Sequence, residues 1–460
     1  MCYASQSRKF NIQIWFPLRE SDKGAFGHVQ RNEVASTDRR NYYLLILAMI
    51  AMQVTTSTIY MVLPIFFAQY GISKSGNGVL IAIGTFAGIF SSLIAGRFSD
   101  TRGRKPVLFF GVVLYSLVFF LFALMSKDFN TFFALRFLEG FAFYMTPVAV
   151  TAMAADIFPS RQRGKAMALY SMASGVGQFF GPIMAGVLVP PDMGSGQPNI
   201  NFNNYFIFCG VFVAISAGII FFFVKETLPH ELKAKPRDDK LGRFNVRGFL
   251  TSIKSLGVIV AIFLIGILVQ RIGYTMVNPF FSIYLEEELG LNVQSMSFFF
   301  AIRAICTLIF SPLAGMAADK YGRKPTFILG SLALAGTMLG YRQVSTYEHV
   351  LIVRAMESTS NAIMMPTTRA YMADLMRPEV RGFGLGIYTT VIEESSTLGA
   401  IFGGVIAEVY SFSAIFLIGS VTAALCAVIV FIGVPEPKEL PHHDDYKPKV
   451  TAEMKSEGTK

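Results

Sequence analysis

Twelve stretches of roughly 17–25 mostly apolar residues run through this chain, each long enough to cross a bilayer as a helix. They lie at 43–68, 78–97, 106–126, 132–156, 165–189, 204–224, 256–279, 296–318, 325–341, 349–373, 383–408 and 411–434. The competing explanation is a large soluble helical protein, whose buried helices are shorter and whose exposed faces carry charge. Here 53% of the residues are hydrophobic and only 15% are charged over 460 residues, which decides for the membrane.

Charge gives the direction of the spans. The net charge of +10 suggests nucleic acid or an anionic surface until its placement is considered. With both tails inside, the outer loops hold only Lys74, Lys127 and Arg342 of the 40 Lys and Arg. That asymmetry is the positive-inside signal. It predicts a multi-pass protein of the cell membrane (plasma or inner), with both termini cytoplasmic, the lipid bilayer as solvent and no nucleic-acid partner. Cys209, Cys306 and Cys426 lie in spans and Cys2 in a tail, so none is placed for an extracellular disulfide.

The sequence also repeats. Gly96-Arg97-Phe98-Ser99-Asp100-Thr101-Arg102-Gly103-Arg104-Lys105-Pro106 returns in the second half of the chain as Gly315-Met316-Ala317-Ala318-Asp319-Lys320-Tyr321-Gly322-Arg323-Lys324-Pro325. A single basic turn explains one copy but not a spaced second one. Arg136, Glu139 and Asp156 recur at nearly the same interval as Arg354, Glu357 and Asp374, and Gly181 and Gly186 as Gly399 and Gly404. A register held across successive elements means a duplicated six-helix unit. The expected fold is an all-α membrane protein of twelve transmembrane helices in two pseudo-symmetric six-helix bundles. Its parts are an N-terminal cytoplasmic tail (1–41), a first bundle (42–224), a cytoplasmic linker (225–255), a second bundle (256–434) and a C-terminal cytoplasmic tail (435–460). The linker is polar and basic, and serves as a tether between moving bundles.

The paired Gly-x-x-x-Asp-x-x-Gly-Arg-Lys loops resemble motif A of the major facilitator superfamily, and Arg136 resembles its motif B arginine. Gly177-Gln178-Phe179-Phe180-Gly181-Pro182-Ile183-Met184-Ala185-Gly186 resembles the antiporter motif of that superfamily, with Ala185 in place of one glycine and Ala168 where an earlier one belongs. The resemblance implies a twelve-helix alternating-access carrier, nearest the drug–proton antiporter branch, with Gly177, Gly181, Pro182 and Gly186 as a helix-packing motif. It also implies a latch that shuts the inner side in the outward-open state, formed by Gly96, Asp100, Gly103, Arg104 and Asp156, and again by Gly315, Asp319, Gly322, Arg323 and Asp374. Physical reasoning gives Asp100 the backbone amides of a neighbouring helix N-terminus as donors, and gives Arg104 the carboxylate of Asp156. These charges alternatively serve only to orient the loops.

Charges inside the spans need partners or water, since each costs roughly 2.5–3.5 kcal/mol on insertion scales. Arg136 and Glu139, three apart, share a helix face, as do Arg354 and Glu357. Two readings stand for Glu139: an ion pair that fixes packing, or a proton carrier tuned by Arg136. Glu357, among Ser358, Ser360 and Asn361, reads as structural. The second half adds Arg271, Arg303, Arg369, Glu393 and Glu394. Helical rise sets Arg369 and the two glutamates at similar depth, so one glutamate is expected to pair with Arg369 while the other faces the cavity. The expected proton-coupling set is therefore Arg136, Glu139, Arg354, Glu357, Arg369, Glu393 and Glu394.

Gln53, Thr56 and Tyr60 form part of a polar stripe in the first span, which must face a cavity or other helices. With Tyr144, Gln178, Arg271 and Arg303 they are the candidates for lining the substrate cavity. Gly84, Gly88 and Gly96 share a face of the second span and permit close approach by a neighbour, and Asn278-Pro279 interrupts the seventh. The sequence shows no catalytic constellation, no metal-binding spacing and no phosphate-binding loop, so it predicts no enzyme, no cofactor and no metal. The expected function is secondary active transport, as proton-coupled efflux of small amphipathic compounds by a monomer. The alternatives are an importer or facilitator of an anionic or zwitterionic metabolite, and a carrier-like sensor without transport.

Overall fold

The computed structural model describes residues 31–159, 162–189, 202–228, 256–378 and 380–437. Most of the expected tails and linker (1–30, 229–255 and 438–460) lies outside the described residues. The first half comprises α1 (Arg31–Ser57), α2 (Ile59–Gln69), α3 (Lys74–Arg102), α4 (Arg104–Leu124), α5 (Phe129–Ile157), α6 (Arg163–Leu188) and α7 (Asn203–Phe223). The second comprises α8 (Val258–Val277), α9 (Phe281–Glu287), α10 (Val293–Tyr321), α11 (Arg323–Gly340), α12 (Tyr347–Asp374), α13 (Arg381–Val409) and α14 (Phe412–Gly433). Pairing α1 with α2 and α8 with α9 gives twelve crossings, six per half.

Length and apolarity alone qualify seven crossings: α3, α4, α5, α7, the α8–α9 run, α10 and α14. The bent pair α1–α2 makes an eighth. The other four are α11, only 18 residues long, and α6, α12 and α13, which are richer in polar residues, several of them buried, as Glu357, Asn361 and Thr368 in α12 and Ser395 and Thr397 in α13. A helix screened from lipid by its neighbours can carry such groups, and one facing lipid cannot.

Local chemistry explains the breaks. Ahead of α3, α5, α10, α12 and α14 stand Ser73, Asp128, Asn292, Thr346 and Ser411, each accepting from an amide of the first turn. Asp128 is held below its ordinary acidity range by its hydrogen bonds from Thr131. The α1–α2 bend of 41° falls where Thr55, Thr56, Ser57 and Thr58 donate to carbonyls of the preceding turn. Pro279 lacks an amide hydrogen, and the chain passes Asn278–Phe280 as a 3-10 turn between α8 and α9. α1 already begins at Arg31, inside the stretch expected as tail. There Asn41 exchanges two hydrogen bonds with the backbone of Lys225, at 3.1 and 2.7 Å, and Tyr42 donates to the Ala166 carbonyl.

Each half has its own aromatic core. Phe66 meets Phe67, Phe132 and Phe206 in the first half, and Tyr341 meets Phe281 and Phe416 in the second. Between halves, α3 packs on α13 and α6 on α10. These seams are tight at the end remote from both termini, hereafter the far end. A Cβ on Gly78 would strike the Ala400 carbonyl, one on Gly404 would lie 2.6 Å from the Lys74 carbonyl oxygen, and one on Gly186 would lie 2.6 Å from Ser297 Oγ. Lys74 pairs with Glu287 at 2.6 Å, and the Ser75 amide donates to Glu408 at 2.7 Å. Among the described residues, the close glycine contacts and polar bonds that join the two halves lie at the far end and at mid-depth, whereas the ion pairs of the tail end stay within one half. That is the pattern of a molecule shut at the far end and open at the tail end.

Candidate functional site

Between the halves lies a cavity of about 490 Å³. Its first-half wall includes Gln53, Thr56, Ser57 and Tyr60 of α1 and α2, Phe143 of α5, and Ser174, Gln178 and Pro182 of α6. Its second-half wall includes Arg271, Tyr274 and Thr275 of α8, Asn278 and Pro279 at the break, Phe300 and Arg303 of α10, Met365 of α12, and Ile392, Glu393 and Ser396 of α13. Of the candidate lining residues, Gln53, Thr56, Tyr60, Gln178, Arg271 and Arg303 face this space. Tyr144 lines a smaller recess of about 50 Å³ that also includes Thr56, Tyr60, Arg136 and Glu139.

The wall is held by hydrogen bonds that follow the duplication. Ser57 Oγ donates to the Gly177 carbonyl at 2.7 Å, and Thr275 Oγ1, its counterpart in the repeat, donates to the Ser395 carbonyl at 2.7 Å. Gly177 and Gly181 bring α6 directly against the α1 backbone at Gln53 and Val54, with Pro182 beside them in the cavity wall. Gly186 instead faces α10, so the motif serves two interfaces. Gly84 and Gly88 let α5 approach α3: Gly84 faces Arg136 and Gly140, and Gly88 faces Tyr144. Gly96 makes no such approach: no neighbouring atom lies within 4 Å of where its Cβ would be.

Arg136 pairs with Glu139, and both are 4% exposed. Arg136 also donates to the carbonyls of Leu80 and Ile81. Its repeat, Arg354, pairs with Glu357 at 2.6 Å and stacks over Phe281 at 4.4 Å. Glu357 accepts in addition from Tyr274, Asn361 and Tyr341, at 2.9, 3.0 and 3.3 Å. Four donors hold the second pair in place, while the first borders the recess.

The expected pairing of Arg369 with Glu393 or Glu394 is not made. Among the described residues, no ion pair within 4.0 Å joins them. Instead Glu393 accepts from Tyr144 of the opposite half at 2.9 Å. The reason is packing. α12 rests mainly on α10 and α11, and α13 on α3 and α8, so residues at similar depth do not meet. Arg369 is exposed and Glu394 half-buried.

At the tail end Arg104 reaches Asp100 and, at 3.1 Å, Asp156. Arg323 reaches Asp319 at 2.7 Å and Asp374 at 3.1 Å. Among the described residues, these ion pairs join residues of the same half. The amides that open α4 and α11 are taken by two other acids. Glu226, just past α7, accepts from the amides of Arg104 and Lys105 at 2.9 and 3.2 Å, and also from those of Thr227 and Leu228. Glu436, past α14, accepts from Arg323 and Lys324 at 2.9 Å each. Gly103 and Gly322, with φ of 120° and 105°, make the turns that present these amides. Neither glutamate was singled out from the sequence. The available signal was an acid shortly after the last span of each half, in Lys225-Glu226-Thr227 and Pro435-Glu436-Pro437.

Among the described residues no three His, Cys, Asp or Glu side chains converge to hold a metal ion. Cys209, Cys306 and Cys426 are free and buried.

The family model described as Major Facilitator Superfamily matches twice, at residues 45–270 and 263–456. Multidrug resistance protein 2 of Bacillus subtilis (strain 168) is 25% identical over 353 residues, covering 75% of this chain and 83% of the relative. Quinolone resistance protein NorA of Staphylococcus aureus (strain MSSA476) is 22% identical over 379 residues, covering 81% and 90%. Among solved structures, a D-xylose–proton symporter aligns with a TM-score of 0.66 at 19% identity, over 88% of this chain and 98% of that one. A point mutant of the nucleoside transporter NupG aligns with a TM-score of 0.68 at 15% identity, over 85% and 98%.

Proposed function

The chain belongs to the Major Facilitator Superfamily, and from that premise we propose that it exports small amphipathic compounds by alternating access, driven by protons. The relatives named for multidrug and quinolone resistance support export, and the distribution of basic residues supports a cell-membrane protein with both tails in the cytoplasm. On that orientation the open tail end is cytoplasmic and the shut far end is external. A cavity open to the cytoplasm is where an exporter loads. One chain supplies both walls, so the monomer is the working unit. The halves are 42–224 and 256–434, joined by 225–255 as a tether.

The observation that carries proton coupling is the Tyr144–Glu393 hydrogen bond, which crosses between the halves at the cavity wall. As a carboxylate, Glu393 receives a charge-assisted bond from the opposite half. Protonation removes that charge and weakens the tie. A proton taken or released there changes how firmly the halves hold at mid-depth, which is the property a coupling group needs. Glu139, paired with Arg136 behind the same recess, is the second acid in reach of the cavity. Arg354 and Glu357 anchor the packing of the second half. The Asp100–Arg104–Asp156 and Asp319–Arg323–Asp374 clusters stiffen the tail ends of each half, and would face one another when that end closes.

The test is uptake of a fluorescent amphipathic dye into inverted membrane vesicles energised by a proton gradient. Uptake should require this protein and collapse with a protonophore. In Glu393→Gln, what uptake remains should no longer vary between pH 6 and pH 8. Uptake that ignores the protonophore rules out proton drive, and a pH profile surviving in Glu393→Gln removes Glu393 from the coupling role.

A further inference from the structure

The second half places two guanidinium groups in the cavity wall where the first half has none. Arg271, 6% exposed, and Arg303, half-buried, both line the space, and among the described residues neither has a carboxylate within ion-pair distance. This is unusual inside a membrane protein, because a desolvated charge is costly unless it is paired. Arg136 and Arg354 show the ordinary solution, each with a glutamate one turn away on its own helix. Glu393, the acid in the cavity lining, is bonded to Tyr144.

The duplication sharpens the point. The interval that relates Arg354 to Arg136 also aligns Arg271 with Gln53, and Tyr388 with Tyr170. In the first half Gln53 Nε2 donates to Tyr170 Oη at 3.2 Å, which closes that wall on itself. In the second half the matching bond is not made. The buried Tyr388 hydroxyl makes no hydrogen bond to Arg271 and has Arg369 beside it instead, while Arg271 lies against Met365 in the cavity wall and over the Tyr274 ring at 5.7 Å. A thioether is a weak acceptor that cannot balance a guanidinium. Arg303 aligns with Thr85, so the second cation is also an addition to the repeat.

We propose that the transported compound carries a compact anionic group, a carboxylate being the simplest, which sits between Arg271 and Arg303 while its apolar body lies along Phe143, Phe300 and Ile392. This rests on the cavity being the transport site. Guanidinium is suited to the task because its planar fork gives a carboxylate two parallel hydrogen bonds. The selectivity then arises from the second half alone, against a first-half wall of neutral hydroxyls and amides.

The experiment uses three probes with one aromatic body: pyrenebutyric acid, its methyl ester, and pyrenebutyl-trimethylammonium. Fluorescence titration of the purified full chain in detergent should give the acid at least tenfold tighter binding than the ester or the cation. Arg271→Ala and Arg303→Ala should each bring the acid-to-ester ratio close to one, and Arg271→Lys should keep part of it. The ratio, rather than the absolute affinity, separates loss of recognition from loss of folding. Acid binding no tighter than ester binding, including no binding of either, overturns the proposal, as does a ratio that persists in both alanine variants. Vesicle uptake of the same probes distinguishes the two claims. Protein-dependent uptake of the ester or cation but not the acid leaves export standing and removes the anion. Uptake of none of the three, with tight acid binding, leaves the site and removes export.

Discussion

Closure of the far end rests on backbone meeting backbone, and one added side chain should undo it. In Gly404→Val the new Cβ lies 2.6 Å from the Lys74 carbonyl oxygen and 3.0 Å from Ser75 Cα, where ordinary contact begins at 3.4 Å. Neither partner is the mobile tip of a side chain, so α3 and α13 must part by roughly 0.8 Å, the shortfall between 2.6 and 3.4 Å. Overpacking of this kind costs about 1–3 kcal/mol. The cost falls only on the state in which the far end is shut, so it shifts the balance between open and shut by roughly 5- to 150-fold. Double electron–electron resonance between nitroxides at Arg102→Cys and Tyr321→Cys reads this directly, because those positions end α3 and α10 at the tail end. Cys209, Cys306 and Cys426 are buried and should stay unlabelled once Cys2 is replaced by serine. The Gly404→Val distribution should move to shorter distances as the tail end closes. If Gly404→Val and Gly78→Val both give the wild-type distribution, these glycine contacts are not what holds the far end shut.

Two further perturbations test the rest of the framework. Glu226→Ala removes the acceptor for four amides and should cost about 1–2 kcal/mol, the range for losing a strong helix cap; it should appear as a lower unfolding midpoint in detergent, with Glu436→Ala behaving alike. Arg354→Met leaves the Glu357 charge buried without its cation and should cost about 3–5 kcal/mol. Adding Glu357→Gln, which keeps an acceptor for Tyr274, should recover part of that loss, and a double variant no more stable than the single one contradicts the assignment.

What was legible in the sequence is what is local or repeated. Arg136 with Glu139 and Arg354 with Glu357 were readable because residues three apart share a helix face. The two halves were readable because loops and charges recur at a fixed interval. The break at Asn278-Pro279 was readable from the missing amide hydrogen. The contacts that escaped join residues far apart in sequence. Glu226 caps α4 across 122 residues, and Tyr144 meets Glu393 across 249. Helical rise speaks only to the depth of Arg369 and the glutamates and not to their direction around the helix axis. Which side of α13 faces α3 is decided by the packing of whole bundles, and no single span encodes it. The bend at Thr58 was hidden for a related reason: a hydroxyl can bond back to its own helix or across to a neighbour, and Thr58 does both, to Thr55 and Tyr205.

The approach of Gly140 to Gly84 has a mechanical consequence. A Cβ on Gly140 would land on the Gly84 carbonyl, so no side chain cushions α5 from α3 there. A joint without padding transmits displacement rather than absorbing it. α3 has 29 residues, roughly 44 Å of helix, with Lys74 and Gly78 at one end and Asp100 at the other. With its tail end also bound to α5 through the Arg104 bridge between Asp100 and Asp156, α3 cannot move alone, so prying its outer tip away from α13 would carry α5 with it.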